Sequence, residues 1–223
     1  MPNTTQASKY YDAKYFKWQE SIGAFSGWAS RYMFKTSIKP EDTVIDFGCG
    51  GGFLLNNLDC REKIGIEPNS TVVGALRERN IKHFFDSTEA LHELGEGIAD
   101  VIISNHALEH TLNPLQEIKN LLPLLKTGGI FHILVPCEAI NIKYKAPDIN
   151  HHLFTWCPQN LGNLFTEAGY KVDYSRPYIH KWPPFYRQIS SLGWPVFNIL
   201  CRVYGQIERR SFQVELRATK QLT

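Results

Sequence analysis

The stretch Thr43-Val44-Ile45-Asp46-Phe47-Gly48-Cys49-Gly50-Gly51-Gly52-Phe53 decides the fold. Thr43–Phe47 is apolar except for Asp46 and reads as a short buried strand. The glycines that follow let backbone approach a ligand closely at the start of a helix, which the pattern places at Gly52–Leu58. The dinucleotide fingerprint Gly-x-Gly-x-x-Gly is not met, because its last position is occupied by Phe53. What stands here is Asp-x-Gly-x-Gly-x-Gly, with an acid at the end of the strand. A pyrophosphate gains nothing from a carboxylate at that point, whereas a cationic ligand does.

Working outward, the chain alternates strand and helix. Lys63–Glu67 reads as a second strand, followed by a helix opening near Ser70, and Lys82–Phe85 as a third. Ala99–Ser104 is the fourth and clearest. Asn113-Pro114 has the signature of an N-cap and first-turn proline, opening a helix with Leu115, Ile118, Leu121, Leu122 and Leu125 on one stripe. Thr127-Gly128-Gly129 is expected to stop it before a fifth strand at Ile130–Val135. Cys157–Ala168 reads as a helix ended by Gly169, Tyr170–Ser175 as a sixth strand, and alternating Phe212–Thr219 as a half-exposed seventh. Before all of these, residues 1–42 read as an aromatic-rich helical extension, with Ser21 a candidate N-cap and Phe25, Trp28, Ala29 and Tyr32 on one face. Strands joined by helices imply a parallel sheet covered on both faces, with ligands beyond the C-terminal strand ends.

Composition excludes several classes. In 223 residues, 43% are apolar and 21% charged, a globular balance, and no run approaches the roughly 18 apolar residues of a membrane span. Met1-Pro2-Asn3-Thr4-Thr5-Gln6 lacks a signal-peptide pattern. The five cysteines are scattered and never spaced Cys-x-x-Cys, which argues against a disulfide scaffold or structural zinc and for a reduced, cytoplasmic protein. Net charge is +2, but from Lys171 onward nine Lys/Arg face three Asp/Glu, while the first 170 residues hold fifteen against nineteen. A basic C-terminal third can attract an anionic substrate, a membrane surface or nucleic acid, or be a solvated face.

The residues after each strand carry the functional signal. Strand two ends in Glu67-Pro68-Asn69, where an acid can accept hydrogen bonds from a ribose diol; strand three ends in Asp86-Ser87, suited to a purine amino edge or to capping a helix. Strand four ends in Ser104-Asn105-His106-Ala107-Leu108-Glu109-His110. Together with Leu124-Leu125-Lys126-Thr127-Gly128-Gly129, His152-Leu153-Phe154-Thr155 and Leu164-Phe165-Thr166-Glu167-Ala168-Gly169-Tyr170, the chain resembles the class I S-adenosylmethionine (SAM) dependent methyltransferases, in particular the small-molecule group with the Leu-Glu-His motif. The resemblance covers Thr43 to about Tyr174 and implies a Rossmann-like α/β fold: a seven-stranded, mostly parallel sheet with helices on both faces. It implies that Asp46, Gly48, Cys49 (through its backbone) and Gly50 surround the methionine part of SAM. Glu67 would hold the ribose hydroxyls and Pro68 would be a further cofactor contact, with Asp86 and Ser87 at the adenine and Asn105 and His106 on the methionyl side. S-adenosylhomocysteine would be the product.

SAM is already activated, so the enzyme must align a nucleophile, exclude water and remove a proton from a hydroxyl acceptor. Histidine suits that task, and His106, His110, His151 and His152 all fall on the ligand edge. His151 or His152 is the preferred base; His110 is a further catalytic candidate that can instead tie down the loop before Asn113. Glu109, His110, His151 and His152 could collect a divalent ion, but without a close carboxylate pair no metal is expected.

The methyltransferase domain is expected to span residues 43–223, with an insertion at 177–211 between strands six and seven. That insertion, rich in Trp, Phe, Tyr and Arg, can be an acceptor lid, a dimer contact or an interfacial amphipathic segment touching an anionic membrane. Trp182, Tyr186 and Tyr144 are the substrate-contact candidates, and Pro195 argues against a long helix there. Trp182-Pro183-Pro184-Phe185-Tyr186 is similar to the Asp/Asn-Pro-Pro-Phe/Tyr box of DNA amino-methylating enzymes, yet it lacks the leading acid or amide and follows strand six, so a nucleic-acid partner is not expected. The reading is a methyltransferase for a small-molecule or carrier-linked acceptor, preferably a hydroxyl of a sugar, polysaccharide precursor or natural product. A quinone-precursor O-methyltransferase, an RNA methyltransferase and a non-catalytic SAM-binding module are the rivals. Either a monomer or a homodimer is compatible with the sequence.

Overall fold

The computed structural model describes residues 13–221 except Pro147, Ile149 and Arg210, so residues 1–12 of the expected extension lie outside the described residues. Seven strands form one sheet: β1 (Thr43–Phe47), β2 (Glu62–Ile66), β3 (Lys82–Phe84), β4 (Ala99–Asn105), β5 (Leu125–Glu138), β6 (Tyr170–Tyr178) and β7 (Ser211–Lys220). Their order is β3-β2-β1-β4-β5-β7-β6, with β1 to β5 parallel and β7 antiparallel to both β5 and β6. The chain leaves β1 toward β2 and β3 on one side and continues with β4 on the other. The crevice between the ends of β1 and β4 is therefore the switch point at which such sheets bind ligands.

Strand alternation feeds two cores. Ile45, Ile102, Phe131 and Ile133 pack on one face with Ile118 and Leu121 of α5 (Pro114–Leu121) and Leu161 and Phe165 of α6 (Pro158–Glu167). Val44, Val101, Ile103 and Leu134 pack on the other with Phe34 of α1 (Ala13–Phe34), Leu54 and Leu55 of α2 (Phe53–Asn56) and Leu76 of α3 (Val73–Glu78). Asp46 shares the period of Val44, so its side chain belongs to the face that α1 and α2 cover.

Local structure departs from the sequence expectations at identifiable points. Ser21 is not an N-cap, because α1 already runs from Ala13 to Phe34. The α5 helix stops at Leu121, and Leu125 instead pairs with Ala99 at the start of β5, where the register then shifts to Val101 against Ile130. Thr127-Gly128-Gly129 is thus an irregularity within β5, with Gly128 at φ +77°, rather than a helix stop. In the insertion, α7 (Tyr186–Ser190) is followed by α8 (Trp194–Ile207), a regular helix of 14 residues. Pro195 sits in its first turn, where the missing N–H has no intrahelical acceptor to lose.

β7 is more buried than its alternation suggests, because its polar face is covered too. Glu215 is buried and accepts from His132 Nε2–H of β5 at 3.1 Å and from Arg176 Nε–H of β6 at 2.8 Å. The Tyr174 hydroxyl donates to it at 3.3 Å. With Nε2 carrying the proton, His132 Nδ1 accepts from the Ser37 hydroxyl at 3.0 Å, so the network reaches the turn after α1. Burial alone would raise the Glu215 pKa, but these donors hold it down at about 2, against 4.5 for an ordinary glutamate. Between those values the unfolded chain takes up a proton that the folded chain refuses, so the network's contribution is complete above about 4.5 and is lost as pH falls toward 2. Glu215→Ala should therefore cost about 3 kcal/mol at pH 7 in urea denaturation, and the deficit should shrink when the measurement is repeated at pH 3.

Candidate active site

After β1 the backbone takes conformations that admit only glycine at low cost. Gly48 and Gly52 lie at φ +77° and +75°, and a Cβ on Gly48 would collide with Ala107 beyond β4. This turn aims the Gly50 N–H at Glu67 Oε2 (2.9 Å), while Asn69 N–H donates to Glu67 Oε1 at 3.0 Å. Burial raises the Glu67 pKa and these two amides oppose it. Asp46 is 2% exposed, and burial together with the nearby Glu67 charge pushes its carboxyl up to about 8. Cys49 is buried and its thiol is pushed up by burial, so it presents backbone rather than a nucleophile.

A cavity of about 380 Å³ opens beside these groups, within the usual range for small-ligand sites. Asp46, Gly48, Cys49, Phe53, Leu54, Asn105, His106, Glu109, His110, Asn150 and His152 line it. Its remaining wall is one face of α1: Ile22, Gly23, Ser26, Gly27 and Ser30. A Cβ at Gly23 would strike the Phe53 ring, and one at Gly27 the Phe53 carbonyl, so these glycines set how closely α1 approaches the loop. A second recess of about 300 Å³, lined by Arg31, Lys35, Ile38, Pro40, Asn57, Leu58 and Asp59, lies away from the strand ends.

Three histidines converge on Glu109, whose side chain is fully buried at the first turn after β4. His106 Nδ1, His110 Nε2 and His152 Nε2 stand 3.5, 3.8 and 4.0 Å from Glu109 Oε1. Burial raises the Glu109 pKa, but His106 above all, with His110, brings it below the ordinary value. For His106 burial acts downward and the Glu109 carboxylate outweighs it, raising the pKa; for His110 burial prevails and lowers it. His152 is oriented by a 2.9 Å hydrogen bond from Nδ1–H to Glu138 Oε1. Leu153 and Phe154 N–H donate to the Glu109 carbonyl at 2.9 and 3.3 Å, which docks the segment after β5 onto the tip of β4. His106 and His151 both adopt positive φ (56° and 48°), conformations that cost a non-glycine residue energy and recur at functional sites.

The structure brings Asp46, Gly48, Cys49, Asn105, His106, His110 and His152 to one cavity, with Gly50 and Glu67 joined to its edge. Other candidates lie elsewhere. Asp86 N-caps α4 (Ser87–Leu94) through Oδ1, which accepts from Glu89 N–H at 2.8 Å. Ser87 is buried and donates to Glu117 at 3.4 Å, and Pro68 is exposed. Tyr144 is 91% exposed. Trp182 and Tyr186 are not among the cavity residues; each packs on Phe25, with ring centroids 4.8 Å apart, on a different side of α1 from the cavity wall. The wall residues Gly23, Ser26, Gly27 and Ser30 and the partner Glu138 are additions that sequence reasoning missed. Gly23-x-x-x-Gly27 is the signal that could have found the wall.

Compared with known proteins, the chain matches the family described as "Methyltransferase domain" over residues 23–175. It is 28% identical over 174 residues to an uncharacterized methyltransferase of Schizosaccharomyces pombe, an alignment spanning 64% of this chain and 66% of that protein, just under two thirds. Its fold is similar to that of a SAM-dependent methyltransferase from Archaeoglobus fulgidus (TM-score 0.65, 17% identity, 94% of this chain and 100% of that one). It is also similar to a Haemonchus contortus phosphoethanolamine N-methyltransferase 2 complexed with phosphomonomethylethanolamine and S-adenosylhomocysteine (TM-score 0.68, 12% identity, 98% and 61%). Fold and strand-end site define the class I SAM-dependent methyltransferase architecture. The chain belongs to the methyltransferase-domain family.

The Asp46 environment yields a linkage test. A carboxyl with a pKa of about 8 is protonated at pH 7 in the free protein, and a cationic sulfonium bound beside it would favour the ionised form. SAM binding at pH 7 should therefore release about one proton, read as a dependence of binding heat on buffer ionisation enthalpy. Affinity should rise with pH and level off above about 8, and Asp46→Asn should abolish both effects.

Proposed function

We propose that the protein transfers the methyl group of SAM to a hydroxyl oxygen of a small or carrier-linked acceptor, such as a sugar, a polysaccharide precursor or a natural product. The observation that carries this reading is the shared cavity: the glycine loop and Asp46 form one side, and the histidines around Glu109 form another. SAM brings a good leaving group, so the chain's own work is binding, alignment and proton removal.

Each task has residues suited to it. Glu67 holds the ribose hydroxyls, with its orientation fixed by the Gly50 and Asn69 amides. Asp46 and the Gly48–Gly50 backbone hold the methionine end and favour its positive charge. The acceptor hydroxyl enters against His110 and His152. His152 is the preferred proton acceptor, since Glu138 fixes its Nδ1–H and leaves Nε2 for the acceptor side. The preference for oxygen follows from this proton-removing cluster. Trp182 and Tyr186 serve indirectly, by bracing the helix whose other face is the cavity wall.

The test is kinetic. His152→Ala should lower turnover roughly 10²-fold or more, with SAM affinity changed less than about threefold. The measurement is product mass spectrometry with labelled SAM and cell metabolite extract. Wild-type turnover in His152→Ala would show that proton removal lies elsewhere.

A further inference from the structure

The Glu109 cluster leaves an electrostatic problem that the residues alone do not solve. Its carboxylate is 0% exposed, and neither oxygen accepts a hydrogen bond from any described residue. A buried charge in that condition is costly unless a counter-charge sits against it. The nitrogens facing Oε1 do not supply protons at hydrogen-bond distance: they stop at 3.5 to 4.0 Å.

Each imidazole is moreover engaged on another side. His152 donates Nδ1–H to Glu138 Oε1 at 2.9 Å, and His110 hydrogen-bonds the backbone of His151. His106 Nε2 meets Gln213 Oε1 at 3.0 Å; the Gln213 amide donates Nε2–H to the His180 carbonyl, so Oε1 is its acceptor end and His106 Nε2 carries the proton. A neutral His152 so arranged turns an unprotonated nitrogen toward the carboxylate, a repulsive contact unless a cation lies between. Histidines that ligate metals are held in this way, with the second ring N–H given to a carboxylate or carbonyl.

We propose that Glu109, His110 and His152 bind a divalent first-row transition ion of the Zn²⁺ class. Their ligand atoms all lie within 4.8 Å of one another. Ligands about 2.1 Å from one ion stand roughly 3 to 3.5 Å apart at ordinary angles, so small side-chain rotations close the set. Two imidazoles and one carboxylate favour such an ion over Mg²⁺, which prefers oxygen ligands. With three protein ligands and an open cavity on the remaining side, the site has the form of a catalytic centre rather than a closed structural one.

The proposal rests on the SAM-dependent reading of the cavity and changes one role in it: His152 Nε2 holds the ion, and the ion rather than this nitrogen activates the acceptor hydroxyl. An acceptor hydroxyl bound to the ion loses its proton to water at the cavity mouth. The resulting oxygen forms a bond to the SAM methyl carbon as the carbon–sulfur electron pair passes to sulfur, which gives the methyl ether and neutral S-adenosylhomocysteine. The acceptor class is then a hydroxyl with a second oxygen able to reach the same ion, as in a vicinal diol, a catechol or a 2-hydroxy acid.

The test is metal binding by full-length protein stripped with a chelator. Calorimetry with Zn²⁺, and the visible absorption of Co²⁺, should report one ion per chain. Glu109→Gln, His110→Ala and His152→Ala should each weaken binding at least about tenfold, while His92→Ala, at an exposed surface histidine, leaves it unchanged. Thermal melting checks that each variant folds, and the three variants give independent readings. No binding at micromolar ion, or binding unchanged in the folded variants, would overturn the proposal. SAM titration of the same metal-free protein separates the two levels: SAM binding and His152-dependent turnover without metal would leave the direct-base reading standing, and loss of SAM binding itself would remove both.

Discussion

The hydrogen bond from Gly50 N–H to Glu67 Oε2 ties the loop after β1 to the tip of β2, and the ligand edge of the sheet is built around it. It forms only because Gly48 turns the chain through a left-handed conformation that a Cβ would block against Ala107. Gly65 serves the same junction from β2, where a Cβ would meet the Cys49 sulfur. Three strand ends are thereby locked in one arrangement, with a buried aspartate, a bridging glutamate and the Leu108-Glu109-His110 turn all facing the switch point. Burial first, and then the Glu67 charge held close to it, raise the Asp46 pKa at this junction.

The second constraint is the seat of α1. Gly23 and Gly27 press it onto Phe53 at the start of α2. Phe34 packs edge-on to His132, and Ser37 donates to that histidine, so the helix's C-terminal end is tied to the buried Glu215 network. Its outer side carries an aromatic layer in which Tyr32 stacks on Trp194 at 4.0 Å and Trp28 packs on Phe197 at 5.5 Å. The insertion between β6 and β7 thus braces the helix whose other face lines the cavity. Its own outer surface is different: Ile199, Val203 and Ile207 of α8 stand exposed in a row beside Arg202.

The central fold was legible because its signals are local. Strand alternation, the glycine turn and the Asn113-Pro114 cap are each set by a few neighbouring residues; the first strand coincides with its expected bounds, and the others lie within five residues of theirs at either end. The errors came where distant contacts decide. Leu125 fits a helical stripe, yet pairing with Ala99 draws it into β5. Glu215 sits at an alternating polar position, yet His132 and Arg176 bury it. The site was half legible for the same reason. Asp46, Glu67 and the histidines follow from strand-end position, whereas the meeting of His110 and His152 on Glu109 depends on how the segment after β5 folds back. Trp182 and Tyr186 have a pocket-like composition, but their partner is Phe25, far away in sequence.

Calorimetric titration of SAM and of NAD into wild type and Glu67→Ala probes this geometry at its junction. Wild type should bind SAM and show no measurable NAD binding, since the loop after β1 offers a carboxylate where a pyrophosphate would lie. Loss of charge-assisted hydrogen bonds to the ribose should weaken SAM binding by Glu67→Ala by about 1–3 kcal/mol, roughly 5- to 150-fold. Preference for NAD over SAM, or undiminished SAM affinity in Glu67→Ala, would contradict the assignment of this strand end to SAM.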